Sequence, residues 1–495
     1  MLFELLASAM LVPNTDLIAQ NSQQNTQQVK TVADKTVVTD NVRYVYFLPE
    51  QNKTKYTEFV QVVENYYDSA LQTVNEFRNR FKKEGQFLRW VNLPEEQLHK
   101  KINKSHLDSI YEQANTLSSR KGEMNRPLVV LGIGGSKHTA EFLLNMTGFD
   151  RKRQVYFYSD IDPISYANFL QQVGTGVENL NFLVVSKSGT TFETSDAFRR
   201  FENALIDYYQ VHDNLNAQEA LTKAQRHFAL CTDATATEKN LRGKIGSKNG
   251  VDNGYIKELY IHDDVGGRYS MFDDAGLFVL AYAGVDKATT TRILQGAMVA
   301  SKKCLNTRSL SQNPAVLGAI FNVFSRDNGY KMIQQQYFGK LFDGAGENWA
   351  KQLYLESLKD FDFAVGKAPD SMHYATEGHF SPQNRDKYNT IMTVMSTDIS
   401  ANYEKYIGAI AKTYSETTPL KVEVLAVEGN AIKPEAIGEY IQTKHFETVY
   451  MGILRRNVLT ASFETEKLPE ILQPSVETYK NKFKPGSPYE LNPGQ

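Results

Sequence analysis

Apolar and polar positions follow two textures along the chain. From 55 to 122, "YTEFVQVVENYYDSALQTVNEFRNRF" and "HLDSIYEQANTLSSR" space apolar residues three and four apart, which predicts amphipathic helices. From 127 the texture becomes an apolar run, a glycine or hydroxyl loop and then helical spacing. "PLVVLGIGGSKHTAEFLLNMTG" (127–148) has this arrangement, and "NFLVVSKSGTTFETSDAFRRFENAL" (181–205) repeats it. "HFALCTDA" (227–234) and "YIKELYIHDD" (255–264) read as further buried strands, and "AGLFVLAYAG" continues into a helix. Strands alternating with helices imply a parallel sheet covered on both faces. After about residue 290 the pattern restarts. Helices are predicted at "PAVLGAIFNVFSRD" (314–327), "GENWAKQLYLESLK" (346–359), "YIGAIAKTY" and "EAIGEYIQTKHFETVYMGIL", and strands at "NTIMTVMS" (389–396) and "LKVEVLAVEG" (420–429).

The expected fold is therefore α/β, with two α/β/α units sharing an interface. Their bounds are 110–287 and 288–495, the second ending in a helical segment, with a helical region at 41–109 packed on them. Residues 1–40 are expected to be a polar arm, because "QNSQQNTQQV" cannot bury enough apolar area to offset its ordering entropy. A length of 495 residues agrees with more than one core.

Composition narrows the function. Fifty-five basic against 57 acidic residues give a net charge of −2, so no global field recruits nucleic acid or membrane. A small polar partner fits better. Cys231 and Cys304 form neither a disulfide framework nor a zinc ribbon, which points to a reducing compartment. "MLFELLASAMLV" has no basic n-region and is interrupted by Glu4, so it does not read as a signal peptide. No other stretch approaches the roughly 20 apolar residues of a membrane helix. The expectation is a soluble cytoplasmic protein.

Two loops carry candidate chemistry. "SKSGTT" follows a strand and precedes a helix, where unpaired backbone N–H groups make an anion site. Ser186, Ser188, Thr190 and Thr191 add hydroxyls there, and Gly189 lets the backbone turn closely. One of these hydroxyls is expected to cap the helix, leaving the others for a phosphate's oxygens. "GIGGS" (132–136) is less specific. It lacks the third glycine of a dinucleotide fingerprint, and Lys137 is followed by His138 where a Walker loop needs Ser or Thr. A packing turn and a ligand loop both remain open for it.

Taken together and in order, "GIGGS", "SKSGTTFET", "GGRYSMFDDAGL" (266–277), "NWAKQLYLES" (348–357), "EGHFSPQ" (377–383) and "QPSVETYK" (473–480) resemble the phosphoglucose isomerase family, in its bacterial form. The resemblance covers about residues 125 to 482. It implies two sugar-isomerase (SIS) domains and interconversion of an aldose and a ketose phosphate, glucose 6-phosphate and fructose 6-phosphate, without metal or organic cofactor.

It also implies roles. Glu356 matches the base that moves a proton between C1 and C2, and Gln352 lies one helical turn earlier on the same face. Arg268 matches the cation beside the enediolate. His379 matches the ring-opening histidine and Lys480 the lysine near the ring oxygen, with Glu193 as the carboxylate orienting that histidine. Ser186, Ser188 and Thr191 match the phosphate anchors, Lys187 contributes its backbone N–H, and Gly135 and Ser136 approach the sugar. His379 is expected to enter from a neighbouring subunit, making a homodimer part of the site.

Three departures accompany the match. Lys137, His138 and Thr139 replace the usual exit from the glycine loop. Asp273 and Asp274 would set two extra carboxylates near a dianion. "LKDFDF" follows Glu356-Ser357 where glycine and lysine are usual. Two rivals are a non-catalytic sugar-phosphate-binding regulator on the same domains and the isomerase half of a glutamine-dependent aminotransferase. Retention of Glu356, Arg268 and His379 opposes the first. The lack of a cysteine near the start opposes the second.

Overall fold

The computed structural model describes residues 35–64, 88–101, 104–119, 126–148, 150–187, 189, 191–233, 254–262, 265–307, 309–342, 344–358, 362–368, 387–395 and 401–460. Its main strands, numbered along the chain, are β1 (Lys35–Val38), β2 (Val42–Phe47), β3 (Leu128–Leu131), β4 (Val155–Tyr158), β5 (Asn181–Val185) and β6 (Phe228–Asp233). They continue with β7 (Ile256–Ile261), β8 (Met332–Phe338), β9 (Asp362–Ala368), β10 (Tyr388–Met395) and β11 (Leu420–Leu425).

The first sheet has the order β4-β3-β5-β6-β7, parallel throughout. Every residue of β3 and β5 is buried, which is why both read as unbroken apolar runs rather than alternations. The second sheet has the order β1-β2-β11-β10-β8-β9, and its four later strands are parallel. Both units thus place their first strand between their second and third. In an open sheet of this order the chain reverses direction beside the first strand, and a crevice opens there at the strand ends.

Residues 35–47 differ from expectation. Instead of an arm followed by helices, β1 and β2 form an antiparallel hairpin that extends the second sheet, β2 pairing antiparallel with β11. Thr39 closes the turn: its hydroxyl donates to Val42 O at 2.6 Å and accepts from Val42 N at 3.0 Å. "VRYVYF" gives little strand signal because Tyr44, Val45 and Tyr46 are all buried, leaving no clear alternation to read. Of the amphipathic stretch that follows, residues 53–64 are helical and 65–87 lie outside the described residues.

The second sheet carries charge in its interior. Lys421 and Glu423, two apart on one face of β11, are fully buried against Lys444 and Glu447 of the Pro434–Thr460 helix. Lys421 pairs with both glutamates, and Lys444 reaches Glu423. Two cations meet two anions, so the set is neutral. Burial alone would penalise the charged Lys421, but the facing glutamates outweigh it and hold its pKa above the usual lysine range.

Helices cross closely where glycine removes the side chain. A Cβ on Gly438 would lie 1.8 Å from Ile293 O, and one on Gly296 would lie 2.1 Å from Glu435 O. These contacts join the Lys287–Asn306 helix to the Pro434–Thr460 helix. Gly438→Ala is expected to separate the pair and destabilise the fold by about 1–3 kcal/mol or more, the usual cost of overpacking. Urea unfolding checks this. An unchanged midpoint would show that the crossing tolerates a methyl group.

Candidate functional site

β3 and β5 are adjacent and parallel, with Leu131 paired to Val184, so the loops that leave them emerge side by side. The glycine loop "GIGGS" follows β3, and the hydroxyl loop "SKSGTT" follows β5. They meet at Gly132, where a Cβ would lie 3.5 Å from both Val185 Cβ and Val185 O. This is the point where the first sheet reverses its winding, the place where ligands of such sheets sit.

The glycine loop turns into the Gly135–Met146 helix through Gly134, whose φ of 52° suits glycine. Two neighbours then come close. A Cβ on Gly135 would stand 2.2 Å from Gly267 C, so backbone lies on backbone. A Cβ on Gly134 would stand 3.0 Å from Gln352 Nε2. Gln352 belongs to the Ala345–Leu358 helix of the second unit. That helix runs antiparallel to the Gly135–Met146 helix, since Gly346 faces Phe142 while Gln352 faces Gly134. Phe142 stacks on Trp349 with ring centroids 5.1 Å apart, filling the space between them. Such a pair contributes about 0.5–1.5 kcal/mol beyond its buried area.

One turn beyond Gln352, Glu356 accepts from Gln352 Nε2 at 2.9 Å. Arg268 Nη1 approaches the other oxygen, Glu356 Oε2, at 3.3 Å. The Arg268 side chain is 1% exposed and that of Glu356 40%, so the cation is fixed in the wall and the carboxylate faces the opening. Arg268 Nε donates to Ser357 Oγ at 2.6 Å, and Trp349 Nε1 donates to Arg268 O at 3.2 Å. Tyr269 OH also reaches Ser357 Oγ at 3.1 Å. The guanidinium is thus held by Ser357 and the backbone behind it by Trp349.

The hydroxyl loop is built otherwise than expected. Thr191 is the N-cap residue of the Phe192–His212 helix, yet its side chain makes no cap hydrogen bond. Ser186 Oγ instead accepts from Gly189 N at 3.0 Å and closes the loop on itself. Thr232 Oγ1 donates to Lys187 O at 3.1 Å, which orients that peptide. The Lys187 side chain itself is half-buried, and Glu193 lies in the first turn of the helix. Ser188, His379 and Lys480 lie outside the described residues, as does Thr190.

Two of the departures acquire explanations. Asp273 and Asp274 are 2% and 0% exposed and turned into the protein, so they do not face a ligand as expected from sequence. Asp273 caps the Asp274–Ala283 helix and meets His262, while Asp274 accepts from Tyr260 N at 2.8 Å. His262, Asp273 and Asp274 bring ligand-type atoms within 4.8 Å of one another, but N–H groups already fill every carboxylate oxygen. At the exit of the glycine loop, Lys137 Nζ donates to Ser159 Oγ at 3.2 Å and Thr139 Oγ1 donates to Gly135 O at 2.6 Å. Burial lowers the His138 pKa to about 4, with Lys137 adding to the shift.

The sequence reading missed Ser357 and Trp349 as supports of Arg268, and Gly267 as the residue that admits Gly135. All three stand inside quoted motifs, but only the fold shows what they touch. Chemically the arrangement offers an accessible carboxylate beside a fixed cation, with the glycine loop set between them and the strand end that bears the hydroxyl loop.

Residues 99–334 match the family described as phosphoglucose isomerase, a range that holds both loops and Arg268. A glucose-6-phosphate isomerase of Mycoplasma mycoides is 27% identical over 434 residues, covering 82% of this chain and 91% of that protein. One of Mycoplasmopsis pulmonis is 32% identical over 304 residues, covering 59% of this chain and 62% of that protein. Among solved structures, a glucose-6-phosphate isomerase from Chlamydia trachomatis superposes with a TM-score of 0.63 at 16% identity, covering 91% of each chain. A hypothetical protein from Thermus thermophilus gives 0.64 at 18% identity, covering 86% of this chain and 97% of its own. These likenesses show the same two-unit α/β architecture. With the six motifs in order and both loops at the sheet's switch point, the chain is similar to the phosphoglucose isomerase family, most closely over the matched residues 99–334.

Proposed function

We propose that the protein interconverts glucose 6-phosphate and fructose 6-phosphate, as a step of glycolysis and gluconeogenesis. The observation that carries this reading is Glu356, which is reachable from the opening and held by Gln352 at 2.9 Å and Arg268 at 3.3 Å. The glycine loop lies against Gln352 and, on its other side, against the strand end that bears the hydroxyl loop.

The sugar phosphate places its dianion in the hydroxyl loop. Backbone N–H groups of the helix N-terminus, with Ser186, Lys187 N, Ser188 and Thr191, receive it there. Gly135 and Ser136 approach the sugar, and glycines 134 and 135 let Gln352 and the Gly267 turn close on the same wall. His379 and Lys480 open the ring by moving a proton between the hydroxyl and the ring oxygen, with Glu193 orienting the imidazole. The open-chain sugar then presents C1 and C2 to Glu356. Its carboxylate takes the proton from one carbon and returns it to the other, through a cis-enediolate. Arg268 sits beside the developing oxyanion and needs no reorganisation at that moment, because Ser357 and Trp349 already fix it.

A homodimer in which His379 completes the partner's site, and a cytoplasmic setting, belong to the same reading. Among the described residues no helix is long and apolar enough to cross a membrane. The regulator alternative is not favoured, because a binding-only site has no use for a buried arginine aimed at an accessible carboxylate.

A coupled assay on fructose 6-phosphate tests the reaction directly, and binding without turnover would favour the regulator. Glu356→Gln is expected to lower kcat by roughly 10²- to 10⁴-fold while sugar-phosphate binding, read by calorimetry, persists. Turnover at the wild-type rate would falsify the base. Ser357→Ala strands Arg268 Nε, a loss of about 1–3 kcal/mol, and is expected to depress kcat about tenfold or more. Normal kcat in that variant would mean Ser357 does not hold the cation. His379→Ala is expected to slow conversion of cyclic substrate more than proton exchange in an open-chain one. Equal losses would remove its ring-opening role.

A further inference from the structure

The turn that carries Arg268, Gly267–Phe272, is fastened at both ends. Its first residue lies against the backbone of Gly135. Its far end passes into the Asp274–Ala283 helix through Asp273 and Asp274, and three other elements converge on those carboxylates. From the end of β7, His262 Nδ1 meets Asp273 Oδ1 at 2.6 Å and His262 N donates to Asp273 Oδ2 at 3.3 Å. From the His106–Ser119 helix, His106 Nε2 meets both oxygens of Asp274, at 2.9 and 3.0 Å. From the Leu93–Leu98 helix, Gln97 Nε2 donates at 3.1 Å both to Asp274 Oδ1 and to Phe272 O, the last carbonyl of the turn.

We infer that Asp273 and Asp274, clamped by His262 and His106, are positioning residues for the isomerase reaction, fixing the turn that aims Arg268 at Glu356. The inference rests on the proposed reaction. A helix cap alone would need only one of these carboxylates and neither histidine, and Asp273 supplies it by accepting from Asp274 N at 3.0 Å. Two carboxylates and two imidazoles facing one another do more. They join the turn to a strand and to two helices, so that Arg268 cannot rotate with a loose joint. A misplacement of about 1 Å at a reacting group can cost about 100-fold in rate.

The charges give the clamp a signature. Burial lowers the His262 pKa, but its hydrogen bond to Asp273 and the charges of Asp273 and Asp274 together raise it above the ordinary value. Arg89, from the turn before the Leu93–Leu98 helix, acts in the opposite sense and is itself paired with Glu96. Asp263 and Asp264, next in sequence, lie outside the described residues. A histidine whose folded pKa is raised contributes fully below its unfolded value of about 6.5, and that contribution fades as pH rises through the folded value. The His262–Asp273 pair is therefore charge-assisted on the acid side, where such a bond is roughly twice as strong as a neutral one.

The test is kcat and KM for fructose 6-phosphate between about pH 6 and pH 9, for the wild type, Asp273→Asn and His262→Asn. Asparagine at 273 keeps the helix cap, and at 262 it keeps a donor near Nδ1, so both changes remove charge and preserve shape. The expected result in both variants is a kcat lowered about three- to tenfold near pH 6, KM within about twofold, and a deficit that shrinks toward pH 9. Circular dichroism confirms folding, and either variant suffices if the other fails to fold. Wild-type kcat near pH 6, or a deficit equal at every pH, would overturn the inference. Wild-type protein without turnover would instead sink the reaction on which it rests.

Discussion

Everything at the site depends on one close approach: the backbone of Gly135 lies against that of Gly267, with no side chain between them. The contact brings the start of one helix within reach of the turn that holds Arg268. Because the Ala345–Leu358 helix packs antiparallel on the same helix, Gln352 and Glu356 arrive at the same spot from the second unit. A larger residue at 135 would push the turn away and carry the guanidinium with it. Glycine lets main chain meet main chain within the first unit, and the second unit's helix reaches the same spot through Gln352 at Gly134.

The division of labour follows from where the loops sit. The first unit supplies the glycine and hydroxyl loops at the ends of β3 and β5, where its sheet reverses, and the cation Arg268. The second unit supplies the carboxylate from its first crossover helix, the counterpart of the helix it packs against. Rigid parts surround one accessible group. Arg268 is buried and doubly held while Glu356 stands in the opening, an arrangement that suits proton transfer beside a fixed charge.

The parts that were legible in the sequence are those where burial is complete and local. "PLVVL" and "NFLVV" announce central parallel strands because both faces are covered, and the loops after them are written in glycine and hydroxyls. β8 was not legible: "MIQQQYF" places three consecutive glutamines, Gln334, Gln335 and Gln336, in a buried strand. Only Gln335 shows why, its amide donating to Thr393 Oγ1 at 2.9 Å on the neighbouring strand. β4, "VYFY", is a four-residue strand at the sheet's edge, too short for a pattern. At the site, the motifs pointed to Arg268, Gln352 and Glu356, which the fold brings together, whereas their supports could not be read. Ser357 and Trp349 act through contacts between segments some 80 residues apart in sequence. Asp273 and Asp274 misled for the same reason, since spacing gives no hint that a carboxylate points inward.

The four buried charges of the second unit restrict how its sequence can drift. Lys421 and Glu423 stand on one strand, Lys444 and Glu447 on the long helix that covers it. Removing a single member leaves an uncompensated ion in a dry interior, which is far worse than replacing the whole set with apolar residues. Neutral wandering one position at a time is closed to these sites. Related proteins should carry either the complete quartet or none of it, and intermediates should be rare.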